Sequence, residues 1–351
     1  MGHDYPELNL ALDDIAKQDE LYQPTAFWRE ASQALADEIS FNGIHRFREL
    51  TGPLGYFVPT YGTPGNCFTP LQCHNLESVL RNNLSGTPKE CSALSRFLSG
   101  ESSAQADWRV LLAADDPAKL PRLHTFSESD VGQPIEHFTF DGRCFSRSAL
   151  NYLLGLALLK KHLGADVPRT VLEIGGGFGS LCEILSASGI DGLRYIDIDI
   201  PPTSYVAQYY LTKVLGEDQV ATYAATRDQQ VLYIDSLPIA SVLCAWQIER
   251  LRGEVDLFVN FISFQEMEPP VVANYLKHVS RLGSRWILLR NMREGKRQRT
   301  DTYRGVENPI RTESYLEMLP AYELIESNVF PFGFQTVDGF HSEILLLKRV
   351  N

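Results

Sequence analysis

The sequence predicts an α/β fold: an open, mostly parallel sheet with an antiparallel edge strand, preceded by a mainly helical N-terminal region. Three observations predict it. From Arg169 onward, short apolar strands alternate with helices, the pattern of a parallel sheet covered on both faces. The first strand of that series runs straight into the glycine loop Glu173-Ile174-Gly175-Gly176-Gly177-Phe178-Gly179. The last two strand-like segments are joined without a helix, which suits neighbours of opposite direction. Residues before about Ala149 lack this alternation, so 1–148 reads as one region and 149–351 as the sheet domain.

In the N-terminal region, Ala26–Ile39 places Phe27, Ala31, Leu35 and Ile39 at helical spacing and is amphipathic. Asn75–Leu84, Ser92–Leu98 and Trp108–Ala113 read as shorter helices. Thr51–Gly55 and Thr60–Pro70 are rich in Gly, Pro and Thr and read as loops. The apolar stretch Leu150–Leu163, stopped by Gly164, is a long helix leading into the second part. There the strands are Thr170–Ile174, Leu193–Ile198, Val255–Phe261 and Trp286–Leu289, with Tyr322–Phe330 and Ser342–Lys348 as the closing pair. The helices are Phe178–Ala187, Thr203–Leu215 (closed by Gly216) and Pro269–Leu282, the last opened by prolines. Val231–Ile234 and Val242–Ala245 are strand-like runs whose roles the sequence does not separate.

Composition bounds the partners. The 351 residues are 44% hydrophobic and 22% charged, an ordinary globular balance. A net charge of −12 repels a phosphate backbone and argues against general nucleic-acid binding. No apolar run approaches the ~20 residues of a membrane span. The opening Met1-Gly2-His3-Asp4-Tyr5-Pro6 has no apolar signal core, so a cytoplasmic location is expected. Cys67, Cys73, Cys91, Cys144, Cys182 and Cys244 contain no Cys-x-x-Cys pair and read as free structural thiols.

The chemistry concentrates in the glycine loop. Its pattern is acid-x-Gly-x-Gly-x-Gly, filled by Glu173, Gly175, Gly177 and Gly179. A dinucleotide fingerprint counted from Gly175 would need Gly or Ala where Ser180 stands, and has no use for the acid. A nicotinamide-dependent oxidoreductase is therefore disfavoured. S-adenosylmethionine carries an ammonium and a sulfonium, for which a carboxylate at the strand end is favourable. The next ligand-facing position is the end of the second strand, where an acid accepts from both ribose hydroxyls. Asp197 and Asp199 lie two apart on one side of that strand, and Asp199, nearer the helix, is preferred.

The strings Tyr195–Pro202 (YIDIDIPP), Ser204–Gly216 (SYVAQYYLTKVLG) and Asp256–Met267 (DLFVNFISFQEM) resemble the sugar O-methyltransferase family, over roughly Gly164 to the C-terminus and more loosely from Phe138. The resemblance implies a Rossmann-like class I methyltransferase sheet. It also implies S-adenosylmethionine as cofactor (S-adenosylhomocysteine as product), held by Glu173, Gly175, Gly177, Gly179 and Asp199. In related methyltransferases an acid before the fourth strand sits near the adenine amine. This chain has Trp246-Gln247 there, so Gln247 becomes the adenine candidate, and Asn260 joins the cofactor-binding candidates.

Methyl transfer to a sugar hydroxyl gains from a positioned base. The loop after the fourth strand offers Ser263, Gln265, Glu266 and Glu268; Glu266 is the preferred base and Gln265 a holder of the acceptor hydroxyl. His341, between the last two strands, is the second candidate. No spacing demands a metal, although a divalent ion recruited by acids near Glu266 is compatible with the sequence. From Arg285 to Arg311 eight Arg/Lys stand against Glu294, Asp301 and Glu307. Arg290, Arg293, Lys296, Arg297 and Arg299 are thus candidates for the phosphates of a nucleotide-sugar or glycan acceptor, with a solvated loop as the alternative. Phe27, Trp28, Tyr56, Phe57 and Tyr61 could stack on sugar faces or fill a core. A homo-oligomer is compatible with the sequence. The rival readings are a methyltransferase for a non-sugar small molecule and a non-catalytic methyltransferase-fold partner subunit.

Overall fold

A computed structural model describes residues 3–50, 52, 55, 57, 70–164, 166–303, 305–336 and 338–350. Helix α1 (Pro6–Ile15), not foreseen from the sequence, opens on a proline and buries Leu8, Ala11 and Ile15. Its Asp14 is paired with Arg227 at 2.5 Å. Helix α2 (Ala26–Asn42) turns Ala31, Leu35, Ala36 and Ile39 inward. It is followed by α3 (Pro70–Asn83), α4 (Pro88–Leu98) and α5 (Glu101–Ala114). Thr87 and Glu90 form a reciprocal capping box at the start of α4. Gly52 and Gly55 are helical where a loop is expected, while most of 60–70, together with Tyr56, Tyr61 and Cys67, lies outside the described residues.

A hairpin that the sequence reading missed comes next: β1 (Phe138–Phe140) and β2 (Arg143–Phe145). Its turn, Asp141-Gly142, takes positive φ at both residues, 49° and 74°, the conformation that matches strand twist. Helix α6 (Arg147–His162) is capped by the Ser146 hydroxyl, and every residue from Ala149 to Lys160 is buried.

The second part alternates as predicted: β3 (Thr170–Ile174), α7 (Ser180–Ser186), β4 (Arg194–Asp199), α8 (Thr203–Leu215), β5 (Val220–Ala221), α9 (Tyr223–Thr226), β6 (Leu232–Tyr233) and β7 (Ala240–Cys244). Then come β8 (Leu251–Arg252), β9 (Leu257–Phe261), α10 (Pro269–Arg281), β10 (Trp286–Met292), α11 (Thr312–Met318), β11 (Tyr322–Asn328), β12 (Phe334–Gln335) and β13 (His341–Arg349). Among the described residues the main sheet runs β11-β13-β10-β9-β3-β4-β7-β5, with β12 on β13. This is a Rossmann-like α/β sheet. The two runs that the sequence could not separate part company: β7 joins this sheet, whereas β6 pairs with β8 alone. Strand β13 is antiparallel to both β10 and β11, so the reversed strand lies one place in from the edge rather than on it.

One hydrophobic cluster joins Leu35, Ile39, Phe47 and Trp108 to α6 and to Val171, Leu181 and Tyr210, so the core is continuous across residue 148. The buried Arg48 adds a second tie. It pairs with Glu128 at 2.8 Å and lies 4.7 Å over the Phe178 ring of the glycine loop.

Candidate functional site

Open α/β sheets bind ligands beyond the carboxyl ends of their strands. A cavity of about 990 Å³ lies there, between the glycine loop, the β9 end, α6 and the N-terminal helices. That is the upper end of the ~300–1,000 Å³ range of small-molecule sites. Gly175, Gly176, Gly177 and Phe178 line it. Gly175 has φ +71°, and a Cβ there would lie 2.2 Å from the Ser263 Oγ, so only glycine lets the loop close on the β9 turn. Gly177 has φ +65° and nothing nearer than Phe57 at 3.7 Å, leaving its backbone open to the cavity. Gly179, with φ +98°, packs on Leu211.

The acids divide. Glu173 and Asp197 are fully buried beneath Gly176, off the cavity wall. Asp197 accepts the Gly176 N–H at 3.2 Å, and Tyr195 donates its hydroxyl to Glu173. A Cβ on Gly176 would meet both carboxylates within 2.9 Å, so these acids prop the loop from below, where direct ligand contact was expected. Burial pushes Glu173 up to about 7 and Asp197 well above the usual carboxylate range. Asp199 does line the cavity. Burial raises it to about 7 against the opposing N–H groups of Ile200 and Gly177.

Three other candidates lie off the cavity wall. Gln247 is fully buried; its Oε1 accepts from Cys244 N at 2.8 Å and its Nε2 donates to Thr226 Oγ1 at 3.1 Å. Both ends of the amide are spent, and Trp246 packs edge-on against Tyr223 away from the cavity. Asn260, also fully buried, donates to Ile174 O at 2.8 Å and Ser263 Oγ at 2.6 Å and accepts from Phe264 N and Asn291. His341 lies off the cavity wall, its Nδ1 held 2.6 Å from Glu294 and its backbone N–H on the same carboxylate.

Asn260 clamps a strained turn. Ile262 has φ +75°, an outlier for a β-branched residue, and lines the cavity. Its N–H donates to Arg290 O at 2.7 Å. The turn Ser263–Glu266 that follows presents Glu266 to the cavity. Glu266 accepts from Lys296 Nζ at 2.5 Å and from Trp28 Nε1 at 3.1 Å. The Lys296 ammonium also sits 3.7 Å over the Phe27 ring. Gln265 lines the wall, but its Oε1 is taken by the Met292 N–H at 2.7 Å, leaving only its NH₂ for a ligand. Glu268 instead binds the backbone of Glu307 and Asn308.

The basic stretch is largely committed. Arg290 is buried, donating to the carbonyls of Asn151 at 2.9 Å and Phe332 at 3.0 Å, so it is no phosphate site. Arg293 pairs with Glu343 at 2.9 Å. Arg297 remains on the cavity wall, 4.9 Å over the Tyr303 ring. Phe27, Trp28 and Phe57 line the cavity as well. Among the described residues no group of three or more His, Cys, Asp or Glu could hold a metal, and no helix is long and apolar enough to cross a membrane.

Sequence reasoning missed Ser180 and Thr203. Both line the cavity, are at most 2% exposed and carry hydroxyls without a hydrogen-bond partner. Their position at the starts of α7 and α8, the helices that follow β3 and β4, was the available signal.

No family model matches the chain, and no curated protein matches it. Solved structures similar to it include a magnesium protoporphyrin IX methyltransferase from Synechocystis PCC 6803 with bound S-adenosylhomocysteine, at 14% identity and TM-score 0.40 over 71% of this chain and 95% of that one. Mitomycin 7-O-methyltransferase is 13% identical, with TM-score 0.37 over 97% of this chain and 76% of that one. A 1,6-didemethyltoxoflavin-N1-methyltransferase from Burkholderia thailandensis is 16% identical, with TM-score 0.39 over 57% and 79%. Likenesses this distant leave function to the geometry of the site.

Proposed function

We propose that this chain is an S-adenosylmethionine-dependent O-methyltransferase whose acceptor is a hydroxyl of a sugar or sugar-bearing metabolite. The observation that carries the reading is the meeting of the glycine loop, Asp199 and Glu266 on one cavity of about 990 Å³. The cofactor fits the residues present. Gly177 leaves backbone open to the cavity, Asp199 offers a carboxylate for a ribose diol, and the unpartnered hydroxyls of Ser180 and Thr203 await polar groups. Bound there, the cofactor supplies an electrophilic methyl group on a sulfonium.

The chain's own residues do the rest. Glu173 and Asp197 hold the loop's shape through Tyr195 and the Gly176 N–H. Glu266 takes the proton of the attacking acceptor hydroxyl, and Lys296 and Trp28 fix the direction of its carboxylate. The aromatic side chains of Phe27, Trp28 and Phe57 exclude water and offer faces to the C–H side of a sugar ring. The sugar class rests on the resemblance of Asp256–Met267, and residues 1–148 act as the acceptor-side wall.

Melting the protein with S-adenosylmethionine, S-adenosylhomocysteine and NAD tests the first part. The first two should stabilise it, by ~2.7 kcal/mol at a hundredfold excess over Kd, and NAD should not. Stabilisation by NAD alone, or by none of the three, would sink the reading.

A further inference from the structure

Within the buried run Ala149–Lys160 of α6, polar side chains are few. Lys160 is paired with Asp115, and Tyr152 stacks on Phe261 at the end of β9, ring centroids 4.9 Å apart. Asn151 is different. It is 2% exposed, it stands on the cavity wall, and neither its Nδ2 nor its Oδ1 has a hydrogen-bond partner. A buried carboxamide with both ends unmet is expensive, and an apolar side chain of similar volume would pack there without that cost. The amide lies buried just behind that wall, so a turn of the side chain is what brings it to a molecule in the cavity.

Its place in the cavity says which molecule that is. The Asn151 carbonyl accepts from Arg290 Nη1 at 2.9 Å, which ties this turn of α6 to the end of β10. Ser148, one turn earlier on the same helix face, lines the same wall. The ends of β9 and β10 also carry Glu266 and the ring of Phe261, whereas Asp199 and Thr203 lie across β3 at the end of β4. Asn151 therefore belongs to the acceptor's half.

We infer that Asn151 is the specificity-determining residue for the acceptor, and that the acceptor presents two adjacent neutral hydroxyls to it. The chemistry follows from the carboxamide. It is uncharged, with a donor and an acceptor side by side. A lone anion would use only its NH₂, and a lone amine only its oxygen, leaving the other end buried and unmet. Two neighbouring hydroxyls, each able to donate and accept, match both ends at once. This inference rests on the methyltransferase reading of the cavity and narrows its substrate class to neutral vicinal diols.

Asn151→Leu keeps the branching of the side chain and removes the amide, and Asn151→Ala serves as the second variant should the bulkier leucine not be accommodated. Three readouts are taken together: melting temperature, titration with S-adenosylhomocysteine, and turnover of monosaccharide glycosides beside their single-deoxy analogues. We expect Asn151→Leu to melt about 2 °C higher, because a desolvated amide is gone. Its affinity for S-adenosylhomocysteine should stay unchanged, while KM for the diol glycosides rises ~10-fold. Removing the neighbouring hydroxyl from the acceptor should cost the wild type a similar factor and cost the variant nothing further, as coupled partners do. A lower melting temperature with unchanged KM in both variants would make Asn151 a structural residue and overturn the inference. So would a wild type that prefers acceptors with an isolated hydroxyl, or that turns over none of the diols. Failure of the wild type to bind S-adenosylhomocysteine is distinguishable from all of these, since it removes the methyltransferase reading itself.

Discussion

The wall of the cavity that we assign to the cofactor comes from five consecutive loop residues, 174–178, and the strand end at Asp199, while the wall that we assign to the acceptor draws Thr25, Trp28, Asn151, Glu266 and Lys296 from separate stretches of chain. The first wall is held by local backbone geometry: positive φ at Gly175, Gly177 and Gly179, and a Gly175 N–H bonded to Ile198 O at 2.8 Å. The second is held by side chains reaching across the fold, with Glu266 fastened by Trp28 from α2 and Lys296 from beyond β10. A binding surface made of contiguous backbone tolerates little substitution at its glycines. One made of converging side chains can be retuned a residue at a time.

The largest expected effect tests the backbone wall. Gly175→Val forces a β-branched residue into φ +71° and drives its Cβ into Ser263, so cofactor binding should vanish in a titration with S-adenosylhomocysteine. Retained affinity would mean that the loop does not contact the cofactor. Next, Glu266→Gln should lower kcat by ~10²–10⁴ and leave the titration untouched; a fully active variant removes Glu266 as base. The third effect is on pH. Glu173 and Asp199 both rise to about 7 when folded, from ordinary values of 4.5 and 3.8. Their burial thus contributes stability that is full below about 4 and is lost as pH rises through about 7, so the ligand-free protein should melt lower at pH 8 than at pH 5. Ribose hydroxyls donate to an ionised Asp199, and affinity for S-adenosylhomocysteine should climb ~10-fold between pH 6 and 8. A flat profile in Asp199→Asn would assign that climb to Asp199.

Smaller effects separate the walls further. Trp28→Phe loses one hydrogen bond to a carboxylate and should reduce kcat/KM by ~10-fold without changing cofactor affinity. Gln247→Leu should leave both affinity and turnover alone while destabilising the fold by ~1–3 kcal/mol, since Cys244 N and Thr226 Oγ1 lose a buried partner. Weaker S-adenosylhomocysteine binding in that variant would return Gln247 to the site.

The same contrast governs what could be read from the sequence. Strand β3, helix α8 and the glycine loop were legible because each is a local pattern: a β-branched run, a helical period with a terminal glycine, a spacing of glycines. Asp199 was legible as the strand-end acid nearer the following helix. The inward turn of Glu173 was not, because what buries it is Tyr195 from the next strand and Tyr152 from α6. Gln247 was a candidate because it stands where related methyltransferases carry an acid near the adenine, and Asn260 was named as a cofactor contact beside it. Only the fold reveals the unpaired backbone groups that they satisfy. Asn151 was hidden for the opposite reason, inside a stretch whose apolar character spoke for a core helix. The reversed strand was read correctly in direction, while its place beside the edge depends on a pairing between residues fifty or more positions apart, 286–292 with 342–348.

That last pairing bears on how the chain is made. While the ribosome is still adding residues beyond β10, the outer edge of β10 faces solvent with its ladder groups unpaired, and β11 emerges with no neighbour to join. Both must wait for residues 341–349 to clear the exit tunnel and slide between them. Until then the nascent chain presents an open strand edge to every other chain nearby, the situation in which aggregation competes with folding. Slower translation ahead of β13 would lengthen the interval over which that edge stays open.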